Sequence, residues 1–152
     1  MNYIKYHLCK ILRKYKTKDP YNLVSKMNIE IIKHNLDPKI RGLTVYDSKE
    51  KIHKIGLNTN LSYIMEKFVL THELGHILLH PDSGRYFLEK NTLFLPDKFE
   101  IQANKFAASL LIDKNELINL LKIENDLNRI AFELEVPEEL VKLKIEDSNI
   151  FF

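Results

Sequence analysis

His72 and His76 stand four residues apart inside the most apolar run of the chain, and this pairing limits what the segment can become. On an α-helix, residues four apart lie one turn on, about 6 Å along the axis and on nearly the same face. The run from Ser62 to Leu79 reads as such a helix, with Phe68, Val69, Leu70, Leu74, Ile77, Leu78 and Leu79 supplying its apolar character. Placing two imidazoles and the Glu73 carboxylate there is costly unless they are paired or coordinated. Both histidines of this His-Glu-x-x-His pattern reach one metal ion, zinc by preference. Glu73 lies beside them, close enough to take a proton from a water at that ion. The bland alternative, a half-buried helix that happens to carry polar residues, leaves the burial cost unexplained. Gly75 costs about 1 kcal/mol against alanine inside a helix, which implies that another element packs closely there.

A catalytic zinc site needs three protein ligands and one open position. His80 extends the series, but it lies about 12 Å from His72 along a helix axis, too far for both to hold one ion. It reads instead as an outer or substrate-facing group, or as a cation favoured at the helix C-terminus. Glu100 is the better third ligand. It opens a second amphipathic helix over residues 97–112, where Phe99, Ala103, Phe106, Ala107, Leu110 and Leu111 share a face. Ala103, Ala107 and Ala108 would let that helix come close to the first. Asp97-x-x-Glu100 also fits a capping pair at a helix N-terminus, so spacing alone leaves both readings open.

The rest of the pattern gives an α+β chain, and 152 residues suit a single domain over 1–152. Residues 4–17 suggest an amphipathic helix. Asp19-Pro20 starts a second, running to about Met27, with proline at a favoured first position. Ile29–Ile32, Ile40–Tyr46 and Lys51–Leu57 read as three strands. Residues 81–97, with Pro81, Gly84 and Pro96, read as a loop. Three short helices follow, near 114–122, 126–134 and 137–145. If an extended peptide pairs with a sheet edge, Lys51–Leu57 is the strand nearest the motif in sequence.

Charge narrows the partners. The chain has 23 basic and 21 acidic residues, a net of +2, which makes no electrostatic case for nucleic acid or a membrane surface. Leu127-x-x-Ile-Ala-x-x-Leu-x-Val-Pro-x-x-Leu-Val resembles a helix-turn-helix. Yet Glu124, Asp126, Glu133, Glu135, Glu138, Glu139, Glu146 and Asp147 face only Arg129, Lys142 and Lys144 there, a net of −5 that repels phosphates. No direct nucleic-acid contact is expected. Glu135 takes the turn position where glycine is commoner. The basic residues Lys5, Lys10, Arg13, Lys14, Lys16 and Lys18 read as a solvated helix face. A single cysteine, Cys9, excludes an internal disulfide and fits a reducing compartment. The apolar run is interrupted by Thr71, His72, Glu73 and His76, so no membrane span is expected and the cytoplasm is the expected location.

Phe68-Val-Leu-Thr-His-Glu-Leu-Gly-His-Ile-Leu-Leu-His80, followed by Glu100-x-x-Ala-Asn-x-Phe-Ala-Ala-x-Leu-Leu-Ile112, resembles the ImmA/IrrE family of metallopeptidases over about residues 40–145. The resemblance implies a small zincin-like domain: N-terminal helices, a short three-stranded sheet, the motif helix and C-terminal helices. It implies that His72, His76 and Glu100 hold Zn²⁺ (or Mn²⁺) and that Glu73 is the catalytic base for peptide-bond hydrolysis. His80 and Tyr86 are candidates for steadying the oxyanion. The substrate it implies is a protein, a DNA-binding repressor of a prophage, mobile element or stress regulon. A metal-bound antirepressor or toxin that acts by binding alone is the competing reading. Two positions depart from the family pattern. Gln102 stands where many relatives carry glutamate, which leaves Glu100 the only carboxylate in the block, and Ile112-Asp113 replaces a frequent proline.

Overall fold

A computed structural model describes residues 2–82 and 97–150. Two helices come first, α1 (Tyr3–Tyr15) and α2 (Pro20–Lys26). The Asp19 side chain caps α2 by accepting from the Asn22 N–H at 2.7 Å, and Pro20 takes the first turn, where a missing N–H costs nothing. Three strands follow: β1 (Glu30–His34), β2 (Gly42–Asp47) and β3 (Ile52–Asn58). The helix α3 (Tyr63–Leu79) carries both histidines, and α4 (Asp97–Leu111) carries Glu100. Three short helices finish the chain: α5 (Lys114–Leu121), α6 (Leu127–Glu133) and α7 (Glu138–Asp147). The α+β order expected from the sequence is therefore the observed one.

The sheet order is β1-β3-β2, with β1 parallel and β2 antiparallel to β3. This corrects the expectation that the third strand offers an edge to a peptide. β3 is central and bonded on both sides, and among the described residues the outer edges belong to β1 and β2. Alternation identifies a strand but carries no information about its neighbours, so only the fold could reveal the order. Ile55 and Leu57 of β3 are fully buried and face the helices. On the opposite face Lys54 meets Glu30 at 3.3 Å and Asp47 at 3.0 Å, a half-exposed network spanning all three strands.

One turn of chain is held from inside. Asn58 is buried at the end of β3, and its side-chain N–H groups donate to the carbonyls of Leu36, Asp37 and Ile40. The Asn58 backbone N–H donates to the Arg41 carbonyl at 2.9 Å. These bonds satisfy loop carbonyls that would otherwise be stranded away from water, and they fix where β2 begins.

The helices pack against the sheet and one another around Phe106, Leu70, Leu74, Leu117, Ile130, Leu140 and Val141. α3 is anchored at its start by Ser62, whose hydroxyl accepts from the Met65 N–H, and by Glu66, which accepts from the Tyr21 hydroxyl at 2.9 Å and pairs with Lys33 at 3.0 Å. Further along, Gly75 faces α4. A Cβ there would meet Phe106 Cδ1 at 3.1 Å and the Ala103 backbone Cα at 3.3 Å, so the two helices touch at a point where a methyl group would make its neighbours give by a few tenths of an ångström. The close approach implied by Gly75 and the alanines is thus present. Among the described residues no helix is long and apolar enough to cross a membrane.

Replacing Gly75 by valine should wedge α3 from α4 and destabilise the chain by about 1–3 kcal/mol, the usual range for overpacking. Urea unfolding reads this directly, and a valine variant as stable as the parent would show that the two helices do not meet at this point.

Candidate metal centre

The site grows out of the α3–α4 contact. His72 and His76 lie one turn apart on α3, and their Nε2 atoms stand 3.0 Å from each other. Glu100, in the first turn of α4, reaches across the contact. Its two carboxylate oxygens lie 3.1 Å from His72 Nε2 and 3.1 Å from His76 Nε2. The Glu100 carboxylate turns to the two imidazoles, the arrangement that the ligand reading expects.

The donor set fits a metal ion. Each of the three residues offers one ligand atom, and these atoms lie within 4.8 Å of one another. Zinc bonds nitrogen and oxygen at about 2.0–2.2 Å in a tetrahedral arrangement, so two donors on one ion sit roughly 3.3 Å apart. The separations of 3.0–3.1 Å need to widen by only a few tenths of an ångström. Two imidazoles and one carboxylate are also the donor chemistry that leaves a coordination position open. His76 is almost wholly enclosed, with 3% of its side chain exposed, whereas 44% of Glu100 is exposed. The group is therefore closed on the core side and open on the α4 side.

Electrostatics follows the same geometry. Hydrogen bonds to His72 and His76 hold the Glu100 carboxyl far below the usual carboxylate range. Burial alone would lower His72, but the bond to Glu100 and the charge of Glu73 outweigh it and leave the imidazole above its ordinary value. Glu73 is buried beside the sheet, where Gly42 of β2 faces it. A Cβ on Gly42 would fall 2.6 Å from Val69 Cγ1 and 3.3 Å from Glu73 Cγ. Burial pushes the Glu73 carboxyl up, and the two histidines only partly offset this.

His80 falls outside the converging group, as its distance along the helix predicts. It is the residue after the last turn of α3, its backbone N–H donates to the His76 carbonyl at 2.8 Å, and its ring stacks on Phe99 at 3.8 Å and 18°. The expectation of a C-terminal cation fails. Burial, then His76 and Lys98, push the His80 imidazole down to about 4, so it is neutral at pH 7. Tyr86 lies outside the described residues.

Two partners of the site went unread in the sequence. Asn104 Oδ1 lies 2.8 Å from His72 Nδ1. Its signal was its position, one turn after Glu100 on the same face of α4. Gly42 carried no local signal, because its contact with Val69 and Glu73 joins segments far apart in the chain.

The Glu73 shift has a consequence for the ion-free protein. A carboxyl whose folded value is raised favours folding below its ordinary value of 4.5 and loses that contribution as pH rises through the folded value. Glu73→Gln removes the loss. The variant should be more stable than the parent at pH 7, by on the order of 1 kcal/mol, with the difference closing below about pH 4.5. Thermal unfolding of both ion-free proteins at pH 4 and pH 7 checks this, and parallel pH profiles would refute it.

The sequence model of the IrrE N-terminal-like domain, peptidase family M78, matches residues 24–146, further toward the N-terminus than the two motif blocks reach. The chain is 40% identical over 141 residues to the uncharacterized immunity region protein 2 of Bacillus phage phi105, a match covering 93% of this chain and 88% of that protein. It is 27% identical over 150 residues to the metallopeptidase ImmA of Bacillus subtilis strain 168, covering 97% of this chain and 87% of that protein. With the family model spanning most of its length, this chain belongs to the ImmA/IrrE family of metallopeptidases.

Proposed function

We propose that this chain is a zinc-dependent endopeptidase that cleaves a helix-turn-helix repressor controlling a prophage, mobile element or stress regulon. The observation that carries the reading is the convergence of His72 Nε2, His76 Nε2 and the Glu100 carboxylate, with Glu73 buried next to the first histidine. The immunity-region name of the phage relative supports a prophage as setting. Mn²⁺ suits the same ligands as Zn²⁺.

When bound, the ion supplies Lewis acidity, polarising a carbonyl oxygen and lowering the pKa of a water from about 15.7 to about 7. The protein's own residues do the rest. His72, His76 and Glu100 would hold the ion. Glu73 accepts the proton of the attacking water and passes it to the leaving amine nitrogen. The enclosed core side excludes bulk water from Glu73, and the exposed side at Glu100 leaves room for a protein substrate. An extended segment of that substrate pairs with the outer edge of β2, whose first residue, Gly42, lies against Glu73.

Glu73→Gln tests hydrolysis against action by binding alone. The variant should keep its metal content and lose about 10²–10⁴-fold in cleavage rate. It would be co-incubated with candidate helix-turn-helix repressors, with and without chelator, and cleavage followed by mass spectrometry. Full function in the variant would support sequestration instead. Glu100→Ala should lose the ion itself, read as metal content after dialysis. Wild-type stoichiometry in that variant would remove Glu100 from the ligand set.

A further inference from the structure

We infer that Asn104 is a positioning residue that fixes the ring orientation and tautomer of His72 and thereby sets the affinity of the centre for its metal. The inference rests on the reading of His72, His76 and Glu100 as ligands.

Asn104 Oδ1 stands 2.8 Å from His72 Nδ1, on the side of the ring opposite the Nε2 that faces Glu100. An imidazole that coordinates through Nε2 must carry its proton at Nδ1, and that proton needs an acceptor. The amide oxygen supplies one. It also restrains rotation of the ring about its χ2 bond, because turning would break the hydrogen bond and point a carbon at Glu100. Phe68 adds an edge contact to the same ring at 6.0 Å and 60°. The two histidines differ in this respect, since no described residue accepts a hydrogen bond from His76 Nδ1, which is buried. His76 is held by enclosure and His72, nearer the surface, by a directed bond.

Placement strengthens the assignment. Asn104 sits one turn after Glu100 on α4, so the helix that brings the carboxylate to the ion also brings the acceptor to the first imidazole. Between them in sequence, Ala103 meets Gly75 of α3. One rigid face of α4 thus presents a ligand, a packing contact and an orienting group to α3 in consecutive turns. Leucine at 104 would fill similar space without an acceptor, and aspartate would keep the acceptor.

The test measures Zn²⁺ affinity of the full chain at one pH by competition with a chromogenic chelator. Thermal midpoints of the ion-free proteins are recorded alongside. Asn104→Leu should weaken Zn²⁺ binding by about 10–100-fold, the usual effect of removing such an outer partner, and Asn104→Asp should stay within about threefold of the parent. A loss of packing alone would lower the ion-free midpoint in the leucine variant without a matching loss of affinity. If the leucine variant does not fold, Asn104→Ser takes its place, since its side chain is too short to reach Nδ1. Parental affinity in the leucine or serine variant would overturn the inference, as would an aspartate variant that binds as weakly as they do. If the parent chain itself held no divalent ion, the ligand reading would fail instead, and the two failures are distinguishable.

Discussion

The contact between α3 and α4 at Gly75 is the constraint on which the site depends. Neither helix holds a metal by itself. α3 offers two imidazoles on one face and α4 one carboxylate, and they become one donor set only because the helix surfaces touch where Ala103 and Phe106 meet a residue without a side chain. Adding a methyl group there would push Glu100 outward by tenths of an ångström, a distance that matters when donor atoms must converge near 2 Å from an ion. The glycine is unfavourable for the helix in isolation and necessary for the pair.

The same region concentrates polar groups in an apolar setting. Thr71, Glu73 and His76 are buried within α3. Thr71 satisfies its hydroxyl by donating to the Lys67 carbonyl at 2.7 Å. Glu73 is raised by burial, which His72 and His76 only partly offset. A cation between the histidines changes that balance by adding positive charge close to the carboxylate. Binding of the ion and stability of this part of the fold are therefore linked in sign: what the site needs for chemistry is a cost until the ion is in place.

Much of this was legible in the sequence because it is local. Ser62 and Asp19 cap their helices as their positions suggest, and the three strands lie within two residues of their expected bounds. His72 and His76 share a face by helical periodicity alone. Glu100 was half-legible: its spacing allowed a cap or a ligand, and only the contact between helices brings its carboxylate to the imidazoles. The strand order, the closeness of Gly42 to Glu73 and the stacking of His80 on Phe99 depend on contacts between distant segments. Periodicity is blind to such contacts. The cationic reading of His80 failed for the same reason, since burial against Phe99 outweighs the attraction of a helix end.

Asn58 sets the alignment of β2 from the neighbouring strand, one residue beyond Leu57, the partner of Gly42. By gripping the three carbonyls ahead of β2, its amide acts as a rivet that forbids the strand to slide. A slide by one residue would invert every side chain of β2 and bring Arg41 or Leu43 to the spot now taken by Gly42. Neither fits a gap of 2.6 Å to Val69. An amide at the end of the central strand thus fixes the alignment of β2 against the buried Glu73 carboxylate.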